Sequence, residues 1–235
     1  LFGGVVGGIG GYGNCLGIPT VAGDIFFDER YSGNPLVNAM CVGIVPHEKI
    51  MRATASGVGN LVVLVGADTG RDGIHGATFA SVENPEESHR GVVQVGNPFL
   101  EKLLLEACLE ALDVPGVVAM QDLGAAGLTS STVEVASKGG LGVEIDVQKV
   151  TRRESGMTAY EVMLSESQER MLIIVEPSSL GDLVAIFDRW DLHSDVIGVV
   201  TDDGRVRVLD GNAVVADVPA TYYTDDCPIY IRNGV

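Results

Sequence analysis

VVAMQDLGAAGLTSS, Val117 to Ser131, sets the architecture. Four apolar, strand-prone residues lead into an acid and a small-residue turn. Beyond the turn, the spacing predicts a helix over about 125–138, closed by Gly139 and Gly140 as C-cap glycines. A strand that feeds straight into a helix is the repeating unit of a layered α/β domain. Upstream, LVVLVG (Leu61–Gly66) is a β-rich apolar run followed by a long glycine loop, GADTGRDGIHGATFAS. Asn97 and Pro98 supply an N-cap and a first-turn proline for a helix over about 98–112, whose apolar residues Leu100, Leu103, Leu104, Ala107, Cys108 and Ala111 recur on one face. Downstream, a strand over 141–147 and a helix over 158–164 are followed by a strand over 171–175 and a helix over 178–189. Three further strands are predicted near 195–200, 205–209 and 213–218, and the alternation favours an α/β domain over an all-helical or all-β one. The first 47 residues are glycine-rich, with an apolar run near Leu36–Val45 of strand character that ends at Pro46.

Composition removes several classes of function. The 235 residues carry 32 acidic and 15 basic side chains, a formal charge of −17 that repels phosphate backbones and argues against a nucleic-acid clamp. At 46% hydrophobic and 20% charged residues, the chain has enough apolar surface to build a core. The 31 glycines, about 13% of the residues against an average near 7%, follow no G-X-Y period and belong to turns and close backbone approaches. Apolar runs such as Leu61–Val65 are far shorter than the roughly 20 residues of a membrane span. Cys15, Cys41, Cys108 and Cys227 show no CxxC or CxxH spacing, which argues against zinc and a disulfide framework and favours a reduced, cytoplasmic setting. The opening LFGGVVGGIGG has neither a basic signal-peptide region nor a methionine, and is read as the interior of a longer polypeptide.

Four features have chemical potential. The glycine loop at 66–81 can present successive N–H groups to a phosphate, yet it lacks the GK[ST] ending of a P-loop; a plain crossover loop is the alternative. Asp122, at the carboxyl end of a strand, is placed either to hold Mg²⁺ against substrate phosphates or to cap the next helix. Glu166, Ser167, Gln168 and Glu169, in MLSESQERM, form either a ligand-binding polar run or a solvated helix end. Gln94, an amide within apolar GVVQVGNPF, needs a hydrogen-bond partner from the protein or a ligand. No GxSxG context or paired histidine indicates covalent catalysis; His75 lies in the glycine loop, and His47 and His193 are expected to face solvent.

Taken together and in order, Gly7–Gly43, GRDGIHGATFAS (Gly70–Ser81), VQVGNPFLEK (Val93–Lys102), MQDLGAAGLTSS (Met120–Ser131) and MLSESQERM resemble the phosphoribosylformylglycinamidine synthase family, its PurL subunit. The resemblance implies a PurM-like C-terminal α/β domain at 48–218, with a mixed sheet and packed helices, preceded by the end of a PurM-like N-terminal domain at 1–47 and followed by a connecting tail at 219–235. It implies ATP-dependent amidation of formylglycinamide ribonucleotide (FGAR) by glutamine-derived ammonia, giving FGAM, ADP and phosphate through an iminophosphate. It implies ATP and Mg²⁺ as cofactors, and a glutaminase subunit PurQ and a small subunit PurS as partners in the small-type enzyme. Residue by residue, it implies that Gln94, Glu166, Ser167 and Gln168 contact substrate and that Asp122 ligates magnesium. An acidic chain binding an anionic substrate works against its own field, so local dipoles and Mg²⁺ must prevail within a Debye length of roughly 8 Å.

Family positions for the catalytic histidine and further magnesium carboxylates precede the first matching block, and much of the ATP site follows the last. Asn97 stands where many relatives have aspartate; either caps the helix. The competing readings are another ATP-using PurM-like enzyme, such as aminoimidazole ribonucleotide synthetase or selenophosphate synthetase, and a non-catalytic scaffold that binds a nucleotide or a subunit. SESQERM and the glycine loop favour the PurL reading over the other PurM-like enzymes, and FGAR binding that Gln94→Ala weakens separates it from the scaffold. On it, these 235 residues alone release ADP from ATP, FGAR and ammonia at no more than the background rate; turnover well above background overturns that placement of the catalytic groups.

Overall fold

The structure, a computed structural model, describes residues 1–33, 35–74 and 94–231. His75, His89 and the 75–81 half of the glycine loop lie outside the described residues. Among those described, helices α1 (Phe2–Leu16), α2 (Pro98–Ala111), α3 (Gly127–Gly139), α4 (Ala159–Leu164) and α5 (Leu180–Arg189) accompany seven strands. These are β1 (Leu61–Gly66), β2 (Val117–Asp122), β3 (Gly142–Asp146), β4 (Arg170–Val175), β5 (His193–Thr201), β6 (Arg205–Asp210) and β7 (Ala213–Pro219).

They form one mixed sheet in the order β2-β4-β1-β5-β3-β6-β7. Only the β3–β6 pairing in this sheet is parallel; the other five are antiparallel. The continuous apolar runs at 61–66 and 170–175 follow from burial on both faces. Val62, Leu64, Leu172 and Ile174 pack with Leu128, Val133, Val135 and Val162 of α3 and α4. Val63, Val65, Ile173 and Val175 face the other way, toward Leu104, Ala107, Leu183 and Phe187 of α2 and α5. Helices on both faces of the sheet make the three-layer α/β arrangement expected from the alternation of elements.

Local signals account for the helix ends. Asn97 accepts the Leu100 amide at 3.2 Å with Pro98 in the first turn, and Thr158 and Glu161 form a reciprocal capping box on α4. Gly140 ends α3 in the left-handed conformation. After β7, Ala220 is buried in the core and Thr224 bonds Ser137 of α3 at 2.8 Å, so the residues just past Pro219 dock on the domain.

Two expectations for the first 50 residues fail. Leu36–Val45 is not a strand: these residues are exposed and join none of the seven ladders, and apolar residues without a neighbouring strand have no hydrogen bonds to hold them extended. Conversely, the glycine-rich opening, FGGVVGGIGGYGNCL, is helical. Each interior glycine costs about 1 kcal/mol relative to alanine, which hides the helix from propensity arguments. Contact with α2 supplies what intrinsic preference does not.

The packing predicts a contrast between two phenylalanines. Phe187 is fully buried and Phe99 is 69% exposed. In the 235-residue chain, Phe187→Ala is expected to cost about 3–5 kcal/mol by urea denaturation, and Phe99→Ala within about 0.5 kcal/mol.

Candidate functional site

One edge of the sheet gathers the sequence-selected residues. Because β4 runs antiparallel to both β1 and β2, its first residues meet their carboxyl ends: Arg170 is opposite Gly66 and Met171 is opposite Asp122. The crevice therefore lies beyond two strand ends, as expected, although the sheet is largely antiparallel and not an open parallel one. Four chain segments meet there: the loop after β1, residues 94–97 before α2, the β2–α3 turn, and the loop 165–169 between α4 and β4.

The loop 165–169 is folded inward. Ser165, Glu166, Ser167, Glu169 and the following Arg170 are all buried, which overturns the alternative of a solvated helix end. The guanidinium of Arg170, 2% exposed, donates to the Ser167 carbonyl at 2.8 Å, the Ser165 carbonyl at 2.6 Å and Thr69 Oγ1 at 3.0 Å. Burial draws its pKa down to about 10, with Asp72 opposing the shift, so the group stays cationic at neutral pH. The glycine loop closes over the same residues. Ser165 Oγ donates to the Gly70 carbonyl at 2.6 Å, the Gly70 amide donates to Ser167 Oγ at 3.0 Å, and the Glu166 amide donates to the Asp72 carbonyl at 2.8 Å. Asp72 accepts from the Ser167 hydroxyl and from Arg153. Arg71 reaches outward to Glu161 at 2.7 Å and Glu154 at 3.1 Å, tying the glycine loop to α4 and the turn before it.

Glu166 is the junction of the cleft. Its Oε1 accepts the Ala126 amide at 2.9 Å and its Oε2 accepts from the Gln94 carboxamide, while Gln168 Nε2 donates to the Glu166 carbonyl at 2.8 Å. The Glu166 carboxylate thus occupies the start of α3, where the first amides point outward and a side-chain cap is missing. Gly127 permits this approach: with φ at 52°, it faces the Ser165 carbonyl at a separation that leaves no room for a Cβ. Gln94 is not the buried strand amide the sequence suggested; it is exposed on irregular backbone, with Glu166 as its partner. Ser167 is 1% exposed and its hydroxyl is engaged by Gly70 and Asp72.

Asp122 is exposed at the end of β2. The capping alternative fails, since its Oδ1 accepts from the neighbouring Gln121 side chain at 2.9 Å and neither of its carboxylate oxygens takes an α3 amide. Its Oδ2 accepts no hydrogen bond among the described residues. Asp122 and Gln168 border a cavity of about 380 Å³ that Leu104, Cys108, Met120, Tyr12 and Glu169 also line. Burial in this apolar setting pushes the Cys108 thiol up to about 12, which leaves it inert as a nucleophile. The described residues contain no group of three potential metal-ligating side chains.

The structure therefore joins Gln94, Glu166 and Gln168 through hydrogen bonds and puts Asp122 and Gln168 on one cavity. It places Ser167 beneath them. Arg153, Asp72, Arg170 and Tyr12 were not selected from the sequence, whereas Glu169 was read with Glu166–Gln168 as one polar run. Arg170 sits inside SESQERM and Asp72 inside the glycine loop, so adjacency to those blocks was the available signal; nothing local marks Arg153.

Comparison with known proteins bears on this geometry. The chain is 70% identical over 234 residues to the PurL subunit of phosphoribosylformylglycinamidine synthase from Thermomicrobium roseum, covering 100% of this chain and 32% of that protein. It is 60% identical over 231 residues to the PurL subunit from Caldanaerobacter subterraneus subsp. tengcongensis, covering 97% of this chain and again 32% of that protein. The chain thus spans about a third of the length of these relatives. Among solved structures, Thermotoga maritima PurL complexed with FGAR superposes with a TM-score of 0.88 at 37% identity, over 99% of this chain and 39% of that one. The same protein complexed with ATP matches with a TM-score of 0.81 at 36% identity, over 93% of this chain and 34% of that one. A structure of PurLQS from Thermotoga maritima matches with a TM-score of 0.82 at 35% identity, over 99% of this chain and 38% of that one. Residues 1–45 match the family model described as AIR synthase related protein, N-terminal domain, and residues 57–211, most of the chain and all of the sheet edge just described, match its C-terminal domain. By that match the chain belongs to the AIR synthase related proteins.

Proposed function

We propose that this chain forms the substrate-loop part of a phosphoribosylformylglycinamidine synthase, a ligase of purine biosynthesis that amidates FGAR with ATP and ammonia. The observation that carries the reading is the Gln94–Glu166–Gln168 chain of hydrogen bonds beside Asp122, at the junction of β1, β2 and β4. Amide and carboxylate side chains of this kind suit a ligand that combines amide and hydroxyl groups with phosphate. The relatives support the same conclusion: high identity to proteins named PurL, and a superposable PurL that binds FGAR. On this reading residues 1–47 close an N-terminal domain, 48–218 form the C-terminal domain and 219–235 lead onward. A cytoplasmic location follows from the chemistry, as does assembly with subunits like PurQ and PurS, consistent with the PurLQS structure.

The division of labour follows from the geometry. The Glu166 carboxylate is held from two sides and fixes the Gln94 carboxamide, which leaves the amide's remaining polar positions for the formylglycinamide and ribose groups. Gln168, tethered through Nε2, lines the cavity and keeps its amide oxygen available as an acceptor for a ligand N–H or O–H. Ser167 holds the glycine loop and contacts the ligand through the backbone it positions. ATP is the phosphoryl donor: the formyl-amide oxygen of FGAR takes the γ-phosphoryl group, and ammonia then displaces phosphate. Asp122 fits magnesium as a single exposed carboxylate with one oxygen free of protein contacts, since the ion is commonly bound through one or two carboxylates together with substrate phosphates. When bound there it would neutralise charge on the phosphoryl oxygens.

The test is calorimetric. In the complete polypeptide, FGAR binding in the presence of Mg²⁺ is expected to weaken about tenfold in Gln94→Ala, the scale of a lost hydrogen bond in a desolvated site. Chelation should weaken wild-type binding steeply and Asp122→Asn binding little. FGAR affinity that is indifferent to Gln94→Ala removes the substrate-site reading, and affinity indifferent to chelation removes the role of Asp122.

A further inference from the structure

Glu169 has a conformation and a set of partners that the binding of substrate does not account for. Its backbone is left-handed, with φ at 58°, an arrangement that is strained for a residue with a side chain and persists only where surrounding contacts enforce it. Two sets of contacts do so. The Glu169 carbonyl accepts the Ala67 amide at 2.9 Å and lies over Gly66, itself at φ 105°, where a Cβ would collide with that oxygen. The side chain is buried, and its Oε1 accepts the Tyr12 hydroxyl at 2.8 Å and the Asn97 amide at 2.9 Å. One carboxylate oxygen therefore ties together α1, the N-cap of α2 and the loop 165–169.

These three pieces have separate origins. Tyr12 lies in the segment that matches the N-terminal family model, whereas Asn97 and Glu169 lie in the segment that matches the C-terminal one. Asn97 follows Gln94 by three residues, and Glu169 directly follows Gln168, so both ends of the tie are a few residues from side chains that line the cleft. The Tyr12 ring passes about 3.3 Å from where a Gly96 side chain would start, so the ring packs tightly over the glycine at position 96. Burial and the Glu169 bond both hold the Tyr12 hydroxyl protonated, which keeps it a donor throughout the physiological range.

We infer that Glu169 is a positioning residue that couples the seating of α1 to the shape of the substrate loop: with Tyr12 docked, the left-handed turn at 169 is enforced and Gln94, Glu166 and Gln168 are held in register. The inference rests on the FGAR-site reading for its functional consequence and on the geometry alone for the coupling. Its test uses the complete polypeptide with FGAR, ATP and ammonia, in the variants Tyr12→Phe, Glu169→Ala, Glu169→Gln and the Tyr12→Phe/Glu169→Ala pair. Tyr12→Phe keeps the packed ring and removes only the donor, so a folded protein is assured for comparison. It is expected to raise the KM for FGAR about tenfold with kcat within twofold, and to speed hydrogen exchange of the amides at 166–170. Glu169→Ala should do the same or more, Glu169→Gln should restore most of the loss because its amide oxygen still accepts both bonds, and the pair should be no worse than Glu169→Ala alone. Unchanged KM and unchanged loop exchange in Tyr12→Phe overturn the coupling, as does full additivity in the pair. If wild type binds no FGAR while loop exchange still responds to Tyr12→Phe, the functional reading fails and the coupling stands.

Discussion

Beneath the cleft, the Arg170 guanidinium is removed from water and holds two backbone carbonyls and a threonine hydroxyl around itself. A buried cation is costly unless it is hydrogen-bonded and compensated, and here each guanidinium nitrogen has an acceptor and the Asp72 carboxylate lies near. Opening the loop 165–169 would give up all of these bonds at once, so they hold it closed. No buried side-chain nitrogen or oxygen among the described residues lacks a partner, so the network is satisfied throughout. The cleft rests on this closed loop, as Glu166 and Gln168 take their directions from it.

The acidity of the chain is handled locally. Asp72 is neutralised by Arg153, and Glu166 is held by an amide at the start of α3 and by Gln94. Glu169 receives two donors, leaving Asp122 as the exposed carboxylate among those that frame the cleft. A charge of −17 therefore does not translate into a cleft crowded with free anions. The cavity keeps two carboxylates, Asp122 and Glu101, beside the amides, and burial with the neighbouring Glu169 charge raises the pKa of Glu101; the set is compatible with a phosphorylated ligand accompanied by a cation.

Residues 1–50 show the reverse balance. Their side chains are nearly all partly or fully exposed, including Phe26, Phe27, Met40 and Ile44, yet Tyr12 reaches a buried carboxylate of the sheet domain. A helix with seven glycines in fifteen residues has little intrinsic stability, so its placement depends on what it touches. That dependence makes α1 suited to report the state of neighbouring structure to the cleft.

Much of the architecture was legible along the chain, because apolar period, N-caps and C-cap glycines are local signals: Asn97–Pro98, Thr158 with Glu161, and Gly140 each mark an element end by chemistry within a few residues. The candidate site was legible only as blocks. SESQERM and QDLGAAG announce unusual polarity at element ends, but which side chain faces the ligand is set by partners far away in sequence. Ser167 and Asp72 are 95 residues apart, and Gln94 and Glu166 are 72 apart. The sequence by itself determined the layering, the strand and helix succession and the chemical types available. Only the tertiary structure decided that Ser167 turns inward, that Asp122 is no cap, that a glycine-rich opening is a helix and that Glu169 binds three segments. Burial and long-range hydrogen bonding act between residues brought together by folding, and they outweigh the local preferences that can be read along the chain.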